Sequence, residues 1–306
     1  MVMKLCYGLD IGGTKMELAI FDQQMQLQHE WRLATPTTDY ADFLQQLCTQ
    51  ITKADQLSGQ LGQLGIALPG IQDASGQVIS SNVPCLNGQQ VVADLQQLLQ
   101  RPVTIGNDCR CFVLSEAVLG AGRGFNRVLG VILGTGCGGG FYADGSLQQG
   151  RQQLVGEFGH QSLAARVVQQ HRLPLYPCGC GLVGCAETYV SGRGLARLYQ
   201  HFAGEPKSTY QWLEDYRSGQ PAAVHAFAAY MDALGSVLAA QLLAYDPDVL
   251  VLGGGLSDIA ELVAAVPEAT QQHLFAGVQV PPVKVAEGGA ASGKRGAALL
   301  GAKANG

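Results

Sequence analysis

The chain of 306 residues is rich in core-forming residues, since 47% of them are hydrophobic and only 14% are charged. Its formal net charge of −5 argues against a general nucleic-acid-binding protein, which usually carries a basic patch. No apolar run approaches the roughly 18 residues of a membrane span, and no secretory signal is visible at the amino terminus. We therefore expect a cytoplasmic protein, with no membrane or nucleic-acid partner, reduced cysteines and about two domains.

Short apolar strands alternate with helical patterns along the chain. Leu5–Leu9 and Met16–Phe21 predict two strands joined by a tight turn, and an apolar face within 41–56 predicts a helix. Further strands are expected at Leu64–Leu68, Val103–Ile105, Val128–Leu133, Val249–Leu252 and Val283–Ala286, and helices after Asn107 as far as Val118, over Ala222–Ala244 and from about Ala290. This alternation indicates an α/β protein with sheets covered by helices.

A weak internal repeat divides the chain into two halves. Each half opens on an apolar strand, a turn containing Gly and Thr, and a returning strand. We expect a smaller domain of 1–118 completed by a carboxy-terminal helix at about 290–306, and a larger domain of 119–289. The cleft between two such domains is the usual place for a ligand.

Two glycine-rich turns lie at matching places in the halves, Asp10-Ile-Gly-Gly-Thr-Lys15 and Leu133-Gly-Thr-Gly136. Glycines let backbone N–H groups approach an anion closely, and the Thr hydroxyl adds a donor. A single turn of this kind is most simply a hairpin, but the pair predicts a nucleotide-dependent phosphotransferase. Asp10 ends its strand and is predicted to orient a Mg²⁺-bound water near the transferred phosphate.

Two other glycine patterns match the consensus sequences of known motifs, but the residues that follow them do not fit those motifs. Gly134-x-Gly136-x-x-Gly139 fits the dinucleotide fingerprint, but a strand rather than a helix follows it. Gly288-x-x-x-x-Gly293-Lys294 resembles a P-loop, but Arg295 stands where a Mg²⁺-binding hydroxyl is needed. We expect the second segment to pack as part of a helix.

Three cysteines and a histidine have the spacing of a metal site. Cys178, Cys180 and Cys185 lie in a glycine-rich segment, and His160 precedes them. Three Cys and one His form a closed tetrahedral zinc site of the structural type, whereas the alternative is a set of buried thiols. We predict a structural Zn²⁺ whose loop carries Glu157 and Glu187, and we expect the remaining six cysteines to act as small hydrophobic residues.

Asn107 and Asp108 stand between a predicted strand and a predicted helix. At the carboxyl end of a strand, where α/β sites gather, Asp108 could accept the proton of an attacking hydroxyl group. Both residue types are also preferred helix N-caps. The spacing alone does not separate the general base from the cap.

These motifs together resemble the ROK family of sugar kinases and repressors, within the actin and hexokinase (ribonuclease H-like) ATPase superfamily. The resemblance runs from Tyr7 to about Leu300 and rests on Asp10–Lys15, Leu133–Gly136, Gly156-Glu-Phe-Gly-His160, Cys178–Glu187, Ala67-Leu-Pro-Gly70 and Leu252–Gly255. It implies a two-domain α/β fold of the actin and hexokinase type, with a cleft between the domains that takes ATP and Mg²⁺. It also implies a homodimer.

The resemblance assigns roles to individual residues. Asp108 would be the base that deprotonates a sugar 6-hydroxyl. The nucleotide-binding residues would be Gly8, Asp10, Gly12, Gly13, Thr14, Lys15, Gly134, Thr135, Gly136, Gly253, Gly254 and Gly255. The sugar-binding residues would be Gly70, Asn82, Asn107, Asp108, Glu157, His160 and Glu187, and the zinc ligands would be His160, Cys178, Cys180 and Cys185.

Within this family, the motifs are most similar to those of bacterial N-acetylglucosamine kinases. Ser81-Asn82-Val83-Pro84, the segment Cys109–Glu116 and Tyr189–Gly194 carry this similarity. We expect ATP-dependent phosphorylation of N-acetyl-D-glucosamine at O6, because the family's repressors have a DNA-binding domain for which this chain shows no sequence. Glucokinase, N-acetylmannosamine kinase and a non-catalytic sugar sensor remain the alternatives.

Overall fold

The computed structural model describes residues 5–80 and 82–304, so Met1–Lys4, Ser81 and residues 305–306 lie outside the described part. The chain divides into two compact units. The first contains Met1–Arg123, Ser146–Leu154 and Gly288–Gly306, and the second contains Gly124–Gly145 and Val155–Glu287. No pattern in the sequence predicts that 146–154 belong to the first unit.

The elements up to residue 119 all belong to the first unit. They are β1 (Cys6–Ile11), β2 (Lys15–Phe21), β3 (Leu27–Ala34), α1 (Tyr40–Ser58), β4 (Gln63–Leu68), β5 (Ile71–Gln72), β6 (Val78–Ile79), α2 (Val91–Leu99), β7 (Val103–Asn107) and α3 (Asp108–Leu119). The strands and helices predicted in this region are confirmed, and β3, β5, β6 and α2 are additions.

The remaining elements follow in chain order. They are β8 (Arg127–Leu133), β9 (Cys137–Ala143), β10 (Ser146–Gln148), α4 (Ala165–Gln170), α5 (Glu187–Val190), α6 (Gly192–Ala203), α7 (Thr209–Arg217), α8 (Pro221–Tyr245), β11 (Val249–Gly253), α9 (Ala260–Gln271), β12 (Val283–Val285) and α10 (Ser292–Ala304). The last helix, expected from about Ala290, begins two residues later and belongs to the first unit.

The sheet of the first unit brings three strand ends to one edge. Its order is β3-β2-β1-β4-β7, with β1 antiparallel to β2 and with β1, β4 and β7 mutually parallel. Asp10 is paired with Ala67, and Leu68 with Asn107. Parallel strands end at the same edge of a sheet. Asp10 and the start of α3 therefore lie at the same edge of this sheet.

Helix α10 packs unusually closely on that sheet. A Cβ atom on Gly8 of β1 would lie 1.8 Å from the carbonyl oxygen of Lys294, and one on Gly65 of β4 would lie 1.8 Å from that of Ala297. Gly296 of α10 approaches the backbone of Cys111 on α3 in the same way. Only glycine permits this approach, so the glycines of these strands and of α10 fix the helix against the strands that carry the candidate site.

The second unit is built on the sheet order β9-β8-β11-β12, in which β8 and β11 are parallel. Gly253 at the end of β11 is paired with Ile132 near the end of β8, so the glycine segments after both strands lie at one edge. Helix α8 is long and apolar enough to cross a membrane, but 67% of its apolar window is buried inside the protein. It is therefore the core helix of this unit.

Candidate active site and metal centre

The turn between β1 and β2 is closed by backbone bonds and by Thr35, the residue that follows β3. The N–H of Gly12 donates to the carbonyl of Lys15 at 2.8 Å. The hydroxyl of Thr35 donates to the carbonyl of Gly12 at 2.8 Å, and its N–H donates to the carbonyl of Thr14 at 3.2 Å. Thr35 thus holds the predicted phosphate turn in shape, a role that no motif in the sequence signals.

Asp10 sits in an environment that disfavours its charge. Burial, followed by the nearby carboxylates of Asp108 and Glu17, raises the pKa of Asp10 to about 6, although Lys15 and Lys294 partly oppose the shift. The structure therefore places Asp10, predicted to bind Mg²⁺ through water, and Asp108, the predicted base, close enough for their carboxylates to interact. A divalent cation bound here would remove the repulsion between them, so the donor set suits the predicted Mg²⁺.

The segment that resembles a P-loop packs beneath Asp10. A Cβ atom on Gly293 would lie 2.1 Å from a carboxylate oxygen of Asp10. Lys294, which is 8% exposed, forms ion pairs with Glu30 and with Glu17, the latter at 3.9 Å. The expected helix packing is confirmed, and no phosphate-binding loop forms at Gly288–Lys294.

The structure separates the two interpretations of the Asn107-Asp108 pair. Asn107 is the N-cap of α3, because its side chain accepts a hydrogen bond from the N–H of Arg110 at 3.2 Å. Its amide nitrogen donates to the carbonyl of Gly70 at 3.0 Å, which joins two predicted sugar-binding residues. Asp108 is the first helical residue, half-buried, and its carboxylate accepts from the N–H of Cys109 at 2.9 Å. The cap is therefore supplied by Asn107, and Asp108 is not needed for it.

The remaining predicted residues of the first unit lie around the turn. A Cβ atom on Gly13 would lie 2.6 Å from the carbonyl oxygen of Asn82, so the two predicted residues are in contact. Asn82 itself is exposed. Gly8 faces the backbone of Lys294, and this close packing accounts for the glycine without any ligand.

The second glycine turn lies in the second unit, between β8 and β9. The N–H of Gly134 donates to the carbonyl of Gly136 at 3.0 Å, and the N–H of Gly192 donates to the carbonyl of Gly134 at 2.7 Å. Gly254 has φ +84°, and a Cβ atom there would lie 2.5 Å from the carbonyl oxygen of Leu133. The segments predicted to bind nucleotide, Gly134–Gly136 and Gly253–Gly255, are thus neighbours, with Thr135 exposed between the glycines.

Glu187 connects this turn to the cysteine cluster. Its carboxylate accepts from the N–H of Cys137 at 3.0 Å, and a Cβ atom on Gly136 would lie 2.5 Å from the same oxygen. The other carboxylate oxygen is 3.9 Å from the sulfur of Cys178. Glu157 lies half-buried just before the 3-10 turn Phe158–His160, where its carbonyl accepts from the N–H of His160 at 3.0 Å.

The predicted metal ligands converge on one point. One donor atom from each of His160, Cys178, Cys180 and Cys185 lies within 4.8 Å of all the others. The His160 Nδ1 to Cys178 Sγ distance and the Cys180 Sγ to Cys185 Sγ distance are both 3.6 Å. Ligands at about 2.3 Å from a tetrahedral ion lie roughly 3.8 Å apart, so the cluster has the donor types and the size that Zn²⁺ requires.

Each unit therefore carries its own part of the predicted site. The first unit holds Asp10, the turn to Lys15, Gly70, Asn82, Asn107 and Asp108, and the second holds Gly134–Gly136, Glu157, Glu187, Gly253–Gly255 and the metal cluster. Sequence reasoning missed Thr35. Its partners Gly12 and Thr14 are distant in sequence, so no local pattern could have found it.

Comparison with known proteins identifies one family. The sequence model of the ROK family matches residues 6–304. The chain is 62% identical to the N-acetylgalactosamine kinase AgaK of Shewanella sp. (strain ANA-3), and the match covers 96% of each chain. It is 41% identical to the N-acetyl-D-glucosamine kinase of Yersinia pseudotuberculosis, with 96% of this chain and 98% of that one covered.

A solved structure confirms the fold class. The ROK hexokinase of Thermus thermophilus superimposes with a TM-score of 0.86 at 32% identity, over 97% of both chains. The chain therefore has the α/β architecture of the actin and hexokinase ATPases that its motifs imply.

Proposed function

Since the chain belongs to the ROK family and is a sugar kinase, we propose that it transfers the terminal phosphoryl group of ATP to the 6-hydroxyl of N-acetylgalactosamine. One observation carries this choice of acceptor. The identity to the N-acetylgalactosamine kinase is 62% over nearly the whole chain, whereas the identity to the N-acetyl-D-glucosamine kinases is 41%. N-acetylglucosamine, favoured by the motifs alone, is the second candidate.

The chemistry demanded of the protein is mainly positioning and proton removal. Asp108 stands at the first position of α3 and, in this proposal, accepts the proton of the sugar hydroxyl as its oxygen attacks phosphorus. Its place is fixed because Asn107 caps the helix and is bonded to Gly70. That rigidity supports Asp108 as the base, since a misplaced carboxylate loses much of its effect.

Asp10 and the glycine turns take the nucleotide side of the proposal. Mg²⁺, when bound, would neutralise charge on the phosphates, and Asp10 is the residue that would hold it through water. The backbone N–H groups of Gly13 and Thr14 in the first turn, and of Thr135 and Gly136 in the second, would supply donors for phosphate oxygens, with Gly253–Gly255 next to the second turn. The fixing of the first turn by Thr35 supports this role, because preorganised donors bind an anion at least cost.

The zinc cluster has a supporting role in the proposal. Four protein ligands leave a zinc ion no open position for a substrate, so the cluster serves the site by fixing its loop. Glu187 transmits that support, since its carboxylate bonds the turn amide of Cys137 and lies near Cys178. The proposal retains a homodimer and a cytoplasmic location as expectations of the family resemblance.

A panel of acceptors tests the function. Initial rates of ADP formation are measured with N-acetylgalactosamine, N-acetylglucosamine, N-acetylmannosamine, glucose and galactose, and without sugar. The proposal expects the highest kcat/KM with N-acetylgalactosamine and negligible ADP formation without an acceptor. A higher kcat/KM for N-acetylglucosamine would select the second candidate, and a clear preference for glucose would overturn both.

A further inference from the structure

A small open cleft lies in the first unit beside the start of α3. Its lining includes Gly70 and Asn107, both predicted to bind the sugar. The wall is otherwise largely apolar and is formed by Leu68, Ile71, Val78 and Ile105. A small substituent carrying a methyl group would find hydrophobic contact here.

The amide side chains that line the cleft differ in whether they make hydrogen bonds within the protein. Asn107 already donates to Gly70 and caps α3, and the side-chain nitrogen of Gln72 donates to the carbonyl of Gly76 at 3.1 Å. Gln153 is half-buried and lines the same cleft. Across residues 5–80 and 82–304, no protein group is hydrogen-bonded to its side-chain amide, so this amide is available to a ligand.

The backbone of Gln153 is held in an uncommon conformation. Its φ of +54° lies in the left-handed region, which residues other than glycine seldom adopt. Arg110, only 2% exposed, donates from its guanidinium to the carbonyl oxygen of Gln153. Arg110 lies on α3 two residues after Asp108, so the helix that carries the proposed base also fixes Gln153. A conformation of this kind persists only where its surroundings enforce it, and such positions cluster at functional sites.

The cleft has the chemistry that a secondary amide requires. An acetamido group presents a methyl group, a carbonyl acceptor and an N–H donor. The carboxamide of Gln153 offers both a donor and an acceptor, so it can complement both polar atoms while the methyl group meets the apolar wall. A sugar with a hydroxyl at C2 has neither the methyl group nor the carbonyl.

We propose that Gln153 is a specificity-determining residue that, with the apolar wall of this cleft, binds the 2-acetamido group of the acceptor sugar. This inference rests on the proposed function, because it assumes that an N-acetylated amino sugar is the acceptor. It assigns the preference for acetylated sugars to one side chain, and it leaves phosphoryl transfer to Asp108 and Asp10.

Two substitutions at Gln153 test the assignment. For Gln153→Ala, kcat/KM is measured with N-acetylgalactosamine and galactose, and with N-acetylglucosamine and glucose. We expect a loss of about 10- to 100-fold for the acetylated sugars, the range that follows from leaving a buried polar group unpaired. The kcat/KM for the unacetylated sugars should change by less than about threefold. Within each pair, the ratio of kcat/KM for the acetylated sugar to that for the unacetylated sugar should therefore fall. Gln152→Ala, at the exposed neighbouring residue, is the matched control and should leave the ratios unchanged.

Gln153→Gly separates the side chain from the backbone. Glycine adopts a positive φ without strain, so this variant keeps the loop conformation and should lose the same selectivity as Gln153→Ala. Selectivity that persists in both variants would overturn the assignment while leaving the proposed function intact, as would an equal loss for acetylated and unacetylated sugars. If the wild-type protein itself shows no preference for acetylated sugars, the proposed function and this inference both fail.

Discussion

Asp10 and Asp108 show how one sheet edge gives two carboxylates different surroundings. Asp10 lies among like charges with its pKa raised to about 6. Asp108 begins a helix whose cap is supplied by its neighbour Asn107. The first arrangement suits a carboxylate that pairs with a cation, and the second suits one held at a fixed point for proton transfer.

The shifted pKa of Asp10 makes folding stability depend on pH. The pKa of Asp10 rises from 3.8 in the unfolded chain to about 6 in the folded protein. As the pH falls, the folded protein therefore binds this proton at a higher pH than the unfolded chain does. The contribution of Asp10 therefore becomes more favourable as the pH falls from 7 to about 4.5. Urea unfolding of the wild type and of Asp10→Asn, without Mg²⁺ or nucleotide, should show the wild type gaining stability relative to the variant between pH 7.5 and pH 5. An unchanged difference would refute the shift.

Removing the proposed base should separate binding from chemistry. Asp108→Asn keeps the shape and the N-cap by Asn107 but cannot accept a proton, so kcat should fall by about 10²- to 10⁴-fold. The Kd for the sugar, measured by calorimetry, should stay within about threefold of the wild-type value. Asp258→Asn, at an exposed carboxylate of the second unit, is the control. Unchanged turnover in Asp108→Asn would rule the base out.

At the scale of elements, one buried carboxylate ties together the ends of two helices. Glu116 on α3 is fully buried and accepts from the N–H of Ala121 at 3.1 Å, from the N–H of Gly288 at 2.9 Å and from the hydroxyl of Ser292 at 2.7 Å. The chain first leaves the first unit after Arg123 and returns to it for the last time at Gly288. Glu116 therefore anchors both of these points within the first unit.

Loss of that carboxylate should weaken the fold markedly. Glu116→Ala leaves several buried donors without their acceptor, each of which costs about 1–3 kcal/mol, so we expect urea unfolding to report a loss of about 2–5 kcal/mol. Glu268→Ala, at an exposed position of α9, should change stability by less than about 0.5 kcal/mol. Equal stability of the two variants would contradict the anchoring role.

The cysteine loop makes a second prediction at this scale. Elemental analysis of protein purified without chelator should find about one Zn²⁺ per chain, as a closed site of four ligands requires. Cys178→Ser should lose most of the zinc and have a lower Tm than the wild type. Cys48→Ser, at a half-buried thiol of α1, should keep the zinc content and the Tm of the wild type. Metal-free protein with undiminished stability would exclude a structural zinc.

Some elements were predictable because a local pattern determines them. The strands around the Asp10 turn, helix α8 and the ligand set at Cys178–Cys185 carry their signal in adjacent residues. Strand β3 does not, because most of its side chains are exposed and only pairing with β2 defines it. Helix α6 begins Gly-Arg-Gly, a poor helical start, and forms because Ser191 caps it and its apolar face is buried.

At the scale of the whole molecule, the site divides into a predictable and an unpredictable part. The glycine turns and the cysteine cluster are visible in the sequence because each consists of several specific residue types close together along the chain. The contact of Arg110 with Gln153 spans 43 positions, and that of Glu116 with Gly288 spans 172. Such contacts arise only from the fold, and in this protein they hold the backbone at Gln153 and at Gly288 in place.

The identity of the reaction product tests the account as a whole. Wild-type protein is incubated with ATP, Mg²⁺ and N-acetylgalactosamine, and the purified sugar phosphate is examined by ³¹P nuclear magnetic resonance with proton coupling. The account predicts a phosphomonoester coupled to the two protons at C6. A phosphorus coupled to the single proton at C1, or the absence of any sugar phosphate, would contradict it.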